Sequence, residues 1–186
     1  MTALTEPIEP ITPEIKKEVV PVQVELPRDS VLRRLVPPHR KTSRTVTEED
    51  IPRVVEESKN LHKICFIPHG LYKGAYAMHD SQIDDKDPLN FFVTSERKIV
   101  INPVITRHSN YTVDSKEACR SFSDRPQIIV PRWQKIEVEF QSVMVDPDKK
   151  DGFKLSGIIK EKLSGFESFV FCHEFDHGQA KYIYSF

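Results

Sequence analysis

A His-Glu-x-x-His motif at His173, Glu174 and His177 carries the clearest chemistry in this chain. Histidines four residues apart lie on one face of an α-helix, where both imidazoles can bind the same divalent metal ion. Glu174 follows the first histidine and can reach a water molecule on that ion. A catalytic metal usually has three protein ligands and one open position, and Cys119 is the best candidate for the third ligand. This set predicts a hydrolytic metal centre.

The composition is that of an ordinary soluble protein, with 38% hydrophobic and 30% charged residues and a net charge of −1. No apolar run approaches the ~20 residues of a membrane helix, and the N-terminus does not resemble a secretory signal. The near-zero charge gives no reason to expect DNA or a membrane as a partner. Cys65, Cys119 and Cys172 lack CxxC spacing, which favours a reducing, cytoplasmic location. We expect Cys65 in the core because it continues an apolar helical stripe, and Cys172 because it lies about 100° round the helix from His173.

The length predicts one domain with additional chain at its start. Residues 1–27 are rich in proline, which fixes φ and removes a backbone donor, so we expect an extended, disordered tail that acts as a tether. Residues 28–186 form the predicted domain. Its first part, residues 28–44, is basic and could contact ribosomal RNA, although a solvated entry segment is the simpler interpretation.

Helices and strands alternate along the predicted domain. Thr47, followed by three acidic residues, predicts the start of a helix whose apolar positions run from Ile51 to Cys65. Short runs of β-branched and aromatic residues predict strands at 91–93, 98–101, 128–130 and 136–140. The metal-binding motif falls in a final helix predicted from Lys162 to Gln179, and the chain is predicted to finish as a strand from Tyr182 to Phe186.

Three segments in order resemble the motifs of the peptide deformylases, which remove the N-formyl group from new proteins. Residues 172–177 read Cys-His-Glu-Phe-Asp-His, where the family has Gln-His-Glu-x-Asp-His. Residues 117–121 read Glu-Ala-Cys-Arg-Ser in place of Glu-Gly-Cys-Leu-Ser. The family's Gly-Φ-Gly-Φ-Ala-Ala-x-Gln, where Φ is apolar, is matched only weakly by residues 72–79, which end in His79. The resemblance extends over about residues 31–186.

The resemblance implies an α+β fold, with antiparallel or mixed sheets packed around a central helix that carries the metal motif. It also implies Cys119, His173 and His177 as ligands of one divalent ion. Fe²⁺ is the family's common metal, with Zn²⁺, Ni²⁺ and Co²⁺ as alternatives. Asp176 is not expected to be a ligand, and Arg132 is its candidate salt-bridge partner.

The catalytic assignments follow from the same resemblance. Glu174 is expected to take a proton from water and pass it to the departing amine. The backbone N–H of Arg120 and the side chain of His79 are expected to stabilise the oxyanion. His79 stands where the family has a glutamine, and Gln82 is the alternative donor.

The expected substrate is the N-formylmethionyl end of a nascent peptide. Helical spacing places Phe166, Phe169 and Val170 beside His173, as the walls of an apolar pocket for methionine. The remaining predicted substrate contacts are Tyr72, Lys73, Gly74, Ala118 and Arg125.

Two other functions compete with an active deformylase. A protein that keeps the fold and the metal but has lost turnover, and serves in binding or structure, is suggested by the degraded first motif. A metallopeptidase is suggested by the His-Glu-x-x-His motif alone.

Overall fold

The computed structural model describes residues 35–66, 74–148 and 152–185. Within these ranges there are two α-helices, α1 (Ile51–Phe66) and α2 (Phe166–Gly178). The strands are β1 (Ala77–His79), β2 (Phe91–Thr94), β3 (Ile99–His108), β4 (Thr112–Glu117), β5 (Ile128–Trp133), β6 (Lys135–Gln141), β7 (Val143–Val145), β8 (Phe153–Leu155) and β9 (Ile159–Ser164). The predicted tail, residues 1–27, lies outside the described residues.

Five strands form one antiparallel sheet in the order β1-β2-β3-β6-β9. Two antiparallel hairpins, β4–β5 and β7–β8, stand apart from it. α2 packs against β1 and β9 of the large sheet and against β5 of the first hairpin. The predicted α+β class, with sheets around a central helix, is therefore confirmed.

Around β2 and the start of β3 both faces of the large sheet are covered, which explains why these strands are nearly continuous apolar runs. Phe91, Val93 and Ile101 belong to a hydrophobic cluster shared with α1. Their neighbours Phe92 and Val100 point the other way, into a second cluster shared with α2. The sheet thus holds the two helices on opposite sides, and α2 is fixed against one face.

The predicted positions of the strands and of the first helix are confirmed. The four apolar runs lie within or across β2, β3, β5 and β6. Thr47 precedes a single 3-10 turn that leads directly into α1, and its backbone N–H donates to Asp50 over 2.9 Å. Cys65 and Cys172 lie in the two clusters as predicted, and no described cysteine is in a disulfide.

The predicted start of the last helix was wrong. Residues Lys162 to Ser164 belong to β9 and pair with β6, and α2 begins only at Phe166. Between them Gly165 has φ +57° and ψ −130°, a conformation that ends the strand and turns the chain into the helix.

The predicted C-terminal strand was also wrong. Ile183 to Ser185 form a 3-10 turn. Ile183 is buried with Cys119 and Val130, and the ring of Tyr182 lies 5.0 Å from that of His177. The segment therefore packs against the metal-binding motif instead of extending a sheet.

One residue of the basic segment 28–44 is paired within the domain. Arg44 donates hydrogen bonds to Asp50 over 2.7 Å and to Asp87 over 3.0 Å, which ties this segment to the 3-10 turn before α1 and to the turn before β2. Residues 28–34 lie outside the described ranges. Among the described helices, none is long and apolar enough to cross a membrane.

Gly165→Ala tests the turn before α2. Because φ +57° is strained for any residue with a Cβ, we expect a loss of about 1–3 kcal/mol in the free energy of unfolding, measured by urea denaturation. Gly157→Ala is the matched control, since a Cβ there meets nothing within 4 Å. Equal stability of the two variants would contradict the strained turn.

Candidate metal centre

Cys119, His173 and His177 converge on one point. Their candidate ligand atoms all lie within 4.8 Å of one another, and Cys119 Sγ is 3.3 Å from His177 Nε2. In a tetrahedral site with metal–S and metal–N distances of about 2.3 and 2.1 Å, sulfur and nitrogen lie about 3.6 Å apart. The observed spacing therefore fits a single divalent ion.

Different elements bring these ligands together. α2 places His173 and His177 about one turn apart on one face. Cys119 follows the end of β4, and its carbonyl accepts a hydrogen bond from Phe122 N in the 3-10 turn that comes next. Cys119 and His177 are each only 1% exposed, so the thiol and the imidazole are held where water has little access.

Glu117 orients the first histidine ligand. His173 Nδ1 donates to its carboxylate over 2.9 Å, which leaves Nε2 of the same ring for a metal. Arg132 donates to the same carboxylate from Nε over 2.8 Å and from Nη2 over 2.9 Å. The predicted contact between Arg132 and Asp176 is confirmed, with Nη1 donating to Oδ2 over 2.6 Å.

The electrostatics around these residues favour a cation. Burial alone would raise the pKa of Glu117, but the hydrogen bonds from His173 and Arg132 outweigh it and lower this pKa to about 2. Burial opposes a charge on His173, yet its contacts with Cys119 and Glu117 raise its pKa to about 10. These neighbours would therefore also stabilise a divalent ion at the same place. Burial and the charge on His173 lower the pKa of His177, which keeps its imidazole neutral, as a ligand must be.

Glu174 lies buried beside the three candidate ligands. It is 4% exposed, it lines the cavity beside the ligands, and its Oε2 has no hydrogen-bond partner among the described residues. Burial raises its pKa to about 7. A carboxyl group with such a pKa can both accept and donate a proton near neutral pH.

A cavity of about 370 Å³ opens beside the ligands. It lies between β1, an edge strand of the large sheet, and β4, whose other edge pairs with β5. Among the predicted substrate and catalytic residues, its lining includes Gly74, Ala118, Arg120, Phe166, Phe169, Val170 and Glu174.

Three predicted substrate contacts are not brought to this cavity by the described structure. Tyr72 and Lys73 lie outside the described residues. Arg125 is exposed and does not line the cavity, and its guanidinium lies over the rings of Phe122 and Tyr184 at 4.8 and 5.1 Å from their centres.

Gln82 lines the cavity, whereas His79 does not. His79 has no exposed surface, its Nδ1 accepts a hydrogen bond from Ser81 N over 3.1 Å, and burial lowers its pKa to about 3. The Gln82 carboxamide is held at both ends, because Oε1 accepts from His79 N over 2.9 Å and Nε2 donates to Ser121 Oγ over 3.1 Å. One N–H of this amide remains for another acceptor.

This geometry favours a second alignment of the weak first motif. When Gln82 takes the place of the family's glutamine, the matching segment is Ala75–Gln82. Ala75 and Ala77 then stand at the two glycine positions, and Met78 stands at the second apolar position. Ala75 to Met78 line the cavity, as does Gly74 of the first alignment, so the position of Gln82 is what favours the second.

Arg120 also serves a structural contact that the sequence did not suggest. Its side chain is buried and donates from Nη1 to the carbonyl of Ile64 over 2.9 Å, near the end of α1. The loop that carries Cys119 is thereby attached to that helix.

Sequence reasoning did not assign Glu117 to the site, and it proposed Arg132 only as a partner of Asp176. Glu117 stands two residues before Cys119, so a strand places both side chains on one side of the backbone. That spacing was an available signal. Arg132 becomes adjacent only when β5 pairs with β4, which local sequence does not reveal.

Comparison with known proteins agrees with the geometry. The family model described as polypeptide deformylase matches residues 70–185, which is more than half of the chain. The chain belongs to the peptide deformylase family. A stretch of 84 residues is 36% identical to peptide deformylase 2 of Nostoc sp., and it covers 44% of this chain but only 39% of that relative.

Solved peptide deformylases share the fold. The enzyme of Thermotoga maritima matches with a TM-score of 0.61 at 23% identity, over 78% of this chain and 88% of that one. The enzyme of the Vibrio parahaemolyticus bacteriophage VP16T, solved in complex with actinonin, matches with a TM-score of 0.59 at 21% identity, over 83% of this chain and 100% of that one. At these identities the likeness establishes the fold of this family member and not the details of its site.

Glu117→Gln tests how the ligand is oriented. Because the variant weakens the acceptor for His173 Nδ1 and removes the charge paired with Arg132, we expect about 10- to 100-fold weaker metal binding, measured by competition with a chelator. Glu137→Gln is the matched control, since that carboxylate is paired with Lys162 on the sheet surface. Unchanged affinity in Glu117→Gln would contradict the orienting role.

Proposed function

We propose that this chain is an active, metal-dependent deformylase that removes the formyl group from the N-terminal methionine of nascent peptides. The observation that carries the proposal is the convergence of Cys119, His173 and His177 beside a cavity into which Glu174 projects. Membership of the peptide deformylase family supports the same activity.

The donor set fits a hydrolytic metal. One thiolate and two neutral imidazoles would leave a net positive charge on a bound divalent ion. That charge would lower the pKa of a water molecule on the ion toward neutral. Glu174 would accept a proton from the attacking water and deliver it to the departing amine. Its raised pKa, about 7, suits both roles.

Gln82 and Arg120 are the proposed oxyanion donors. The second N–H of the Gln82 carboxamide and the backbone N–H of Arg120 would donate to the oxygen of the formyl group. Because the carboxamide is already fixed by His79 N and Ser121 Oγ, little reorganisation is needed at the moment of reaction. This assignment replaces His79, whose side chain is buried away from the cavity.

The two strand edges suit an extended peptide. A substrate between β1 and β4 would pair with them as an added strand, and Ala75, Ala77 and Ala118 present little side-chain bulk there. The side chain of the first residue would enter the apolar space lined by Phe166, Phe169 and Val170, which suits methionine.

The metal and the partners follow from the family. We propose Fe²⁺ as the native ion, with Zn²⁺, Ni²⁺ or Co²⁺ able to replace it, although thiolate and imidazole ligands by themselves suit zinc equally. Formylated nascent chains imply action in the cytoplasm beside the ribosome, and the basic segment 28–44 is the proposed contact. Arg44 contributes less to such a contact, because it is paired with Asp50 and Asp87.

The case for an inactive binding protein is weakened by the position of Gln82. That alternative depended on the loss of the family glutamine from the first motif, and a glutamine side chain lines the cavity. A metallopeptidase differs in its product, since it would cut internal peptide bonds. One assay separates the three functions: formyl-methionyl and unformylated peptides are incubated anaerobically with protein whose metal content is measured.

Glu174→Ala is expected to keep the metal and to lose activity by about 10²- to 10⁴-fold, because only the proton acceptor is removed. Metal analysis and the deformylation rate are measured on the same oxygen-free sample. A rate equal to that of the unmodified protein would show that the proton goes elsewhere.

Gln82→Ala is expected to lower kcat by about 10²- to 10³-fold, as the loss of one oxyanion donor does. His79→Asn is the companion variant, since a short amide oxygen can still accept from Ser81 N. We expect it to lower the melting temperature while kcat is largely retained. The reverse pattern, with kcat lost in His79→Asn and kept in Gln82→Ala, would restore His79 as the oxyanion donor.

A further inference from the structure

A second cavity, of about 530 Å³, lies directly beside the first. Its lining includes the apolar residues Phe92, Val100, Leu163 and Phe171, together with polar and charged residues such as Glu96. Lys98 and Glu161 also line it, form an ion pair with each other and are more exposed than the buried Phe92, Val100 and Phe171. The buried part of this cavity therefore suits a neutral, apolar group.

Three residues line both cavities, namely Tyr76, Phe166 and Val170. The rings of Tyr76 and Phe166 meet edge to face, with their centres 4.6 Å apart and their planes at 79°. This aromatic pair, with Val170 behind it, forms the wall between the two cavities.

The wall is weakly held. Tyr76 is 65% exposed and Phe166 is 56% exposed, so neither ring is fixed by core packing. An edge-to-face contact changes an equilibrium by about tenfold at most. In contrast, Phe169 lines only the first cavity, and Phe171 lines only the second.

The wall also lies at a defined distance from the metal ligands. Phe166 stands seven residues before His173 in α2, which is two helical turns and about 10 Å along the axis. Phe166, Phe169, Val170 and His173 share one face of the helix, so the space between the wall and the ligands has a fixed length.

We propose that the second cavity is an extension of the pocket for the substrate's first side chain, from which the Tyr76–Phe166 pair separates it, and that this pair sets the longest side chain accepted. The proposal rests on the function proposed above. The second cavity would take a linear apolar side chain longer than that of methionine, which would enter between the rings of Tyr76 and Phe166 once they are moved apart. Opening the wall by mutation joins the two cavities and shifts the length preference.

The test uses metal-loaded protein and formyl peptides whose first residue is norleucine, 2-aminooctanoate or 2-aminodecanoate. In the unmodified protein we expect kcat/KM to stop rising beyond the length of norleucine. In Tyr76→Ala it should rise by about fourfold for each methylene newly buried, or about 15-fold for two. Tyr76→Phe keeps the ring contact and should retain the original length profile.

Two further variants test whether a gain for long side chains comes from opening this wall. Phe166→Ala opens the same wall from the helix side and serves if Tyr76→Ala does not fold. Leu163→Phe, combined with Tyr76→Ala, adds bulk to the second cavity and should cancel the gain for long side chains. Parallel length profiles for the unmodified protein and both opened variants would overturn the proposal, as would a gain that survives Leu163→Phe.

Turnover of formyl peptides by the unmodified protein separates a failure of the proposed function from a failure of the extended-pocket proposal. If it turns over no formyl peptide, the deformylated peptides of the same series are titrated by calorimetry. A dissociation constant that falls about fourfold per methylene only in the opened variants still supports the extended pocket. Equal slopes in the unmodified and opened proteins would rule it out.

Discussion

Glu117 accepts hydrogen bonds from both His173 and Arg132, and Arg132 in turn donates to Asp176. This network joins the β4–β5 hairpin, which leads to Cys119, to the helix that carries the two histidine ligands. Removing one partner of a buried ion pair commonly costs about 3–5 kcal/mol, because the other charge is left uncompensated. The relative position of the sulfur and nitrogen ligands therefore depends on contacts that lie behind them.

The same network sets the charge at the ligands. In the protein alone, the contacts of His173 with Cys119 and Glu117 raise the pKa of its imidazole to about 10. A divalent ion bound by His173 Nε2 would take the place of that proton, since a histidine ligand must be neutral. A proton and a metal ion would thus compete for Nε2 of His173. His177 is kept neutral by burial, so it would bind a metal ion without first losing a proton.

The sequence predicted what depends on local spacing. Histidines four residues apart had to share a face of α2, and the apolar runs of β2 and β6 were readable as strands. The start of α2 was not readable in this way. Lys162 to Ser164 are compatible with either a helix or a strand. They form a strand because they pair with β6, which lies more than 20 positions earlier in the chain.

The glycine of the first motif has an equally physical explanation. Gly74 was matched to a family glycine, and a Cβ at this position would lie 2.9 Å from the carbonyl oxygen of Cys65 at the end of α1. Because this contact by itself accounts for the glycine, Gly74 does not decide between the two alignments of the motif. Only the folded chain shows that Ala75 and Ala77 border the cavity.

His79 and Asp80, which replace the motif's two alanines in the second alignment, are both fully buried. Buried polar groups are costly unless hydrogen-bonded, and one atom of each side chain is paired: His79 Nδ1 accepts from Ser81 N, and Asp80 Oδ2 accepts from Leu89 N over 2.7 Å. Arg53 adds an ion pair to Asp80 at 3.4 Å. These bonds hold the 3-10 turn that ends in Gln82, so its carboxamide reaches the cavity through side-chain hydrogen bonds instead of the close packing that two alanines would allow. The first motif can therefore differ from the family's at most of its positions while a glutamine carboxamide still lines the cavity, provided that the turn before the glutamine remains fixed.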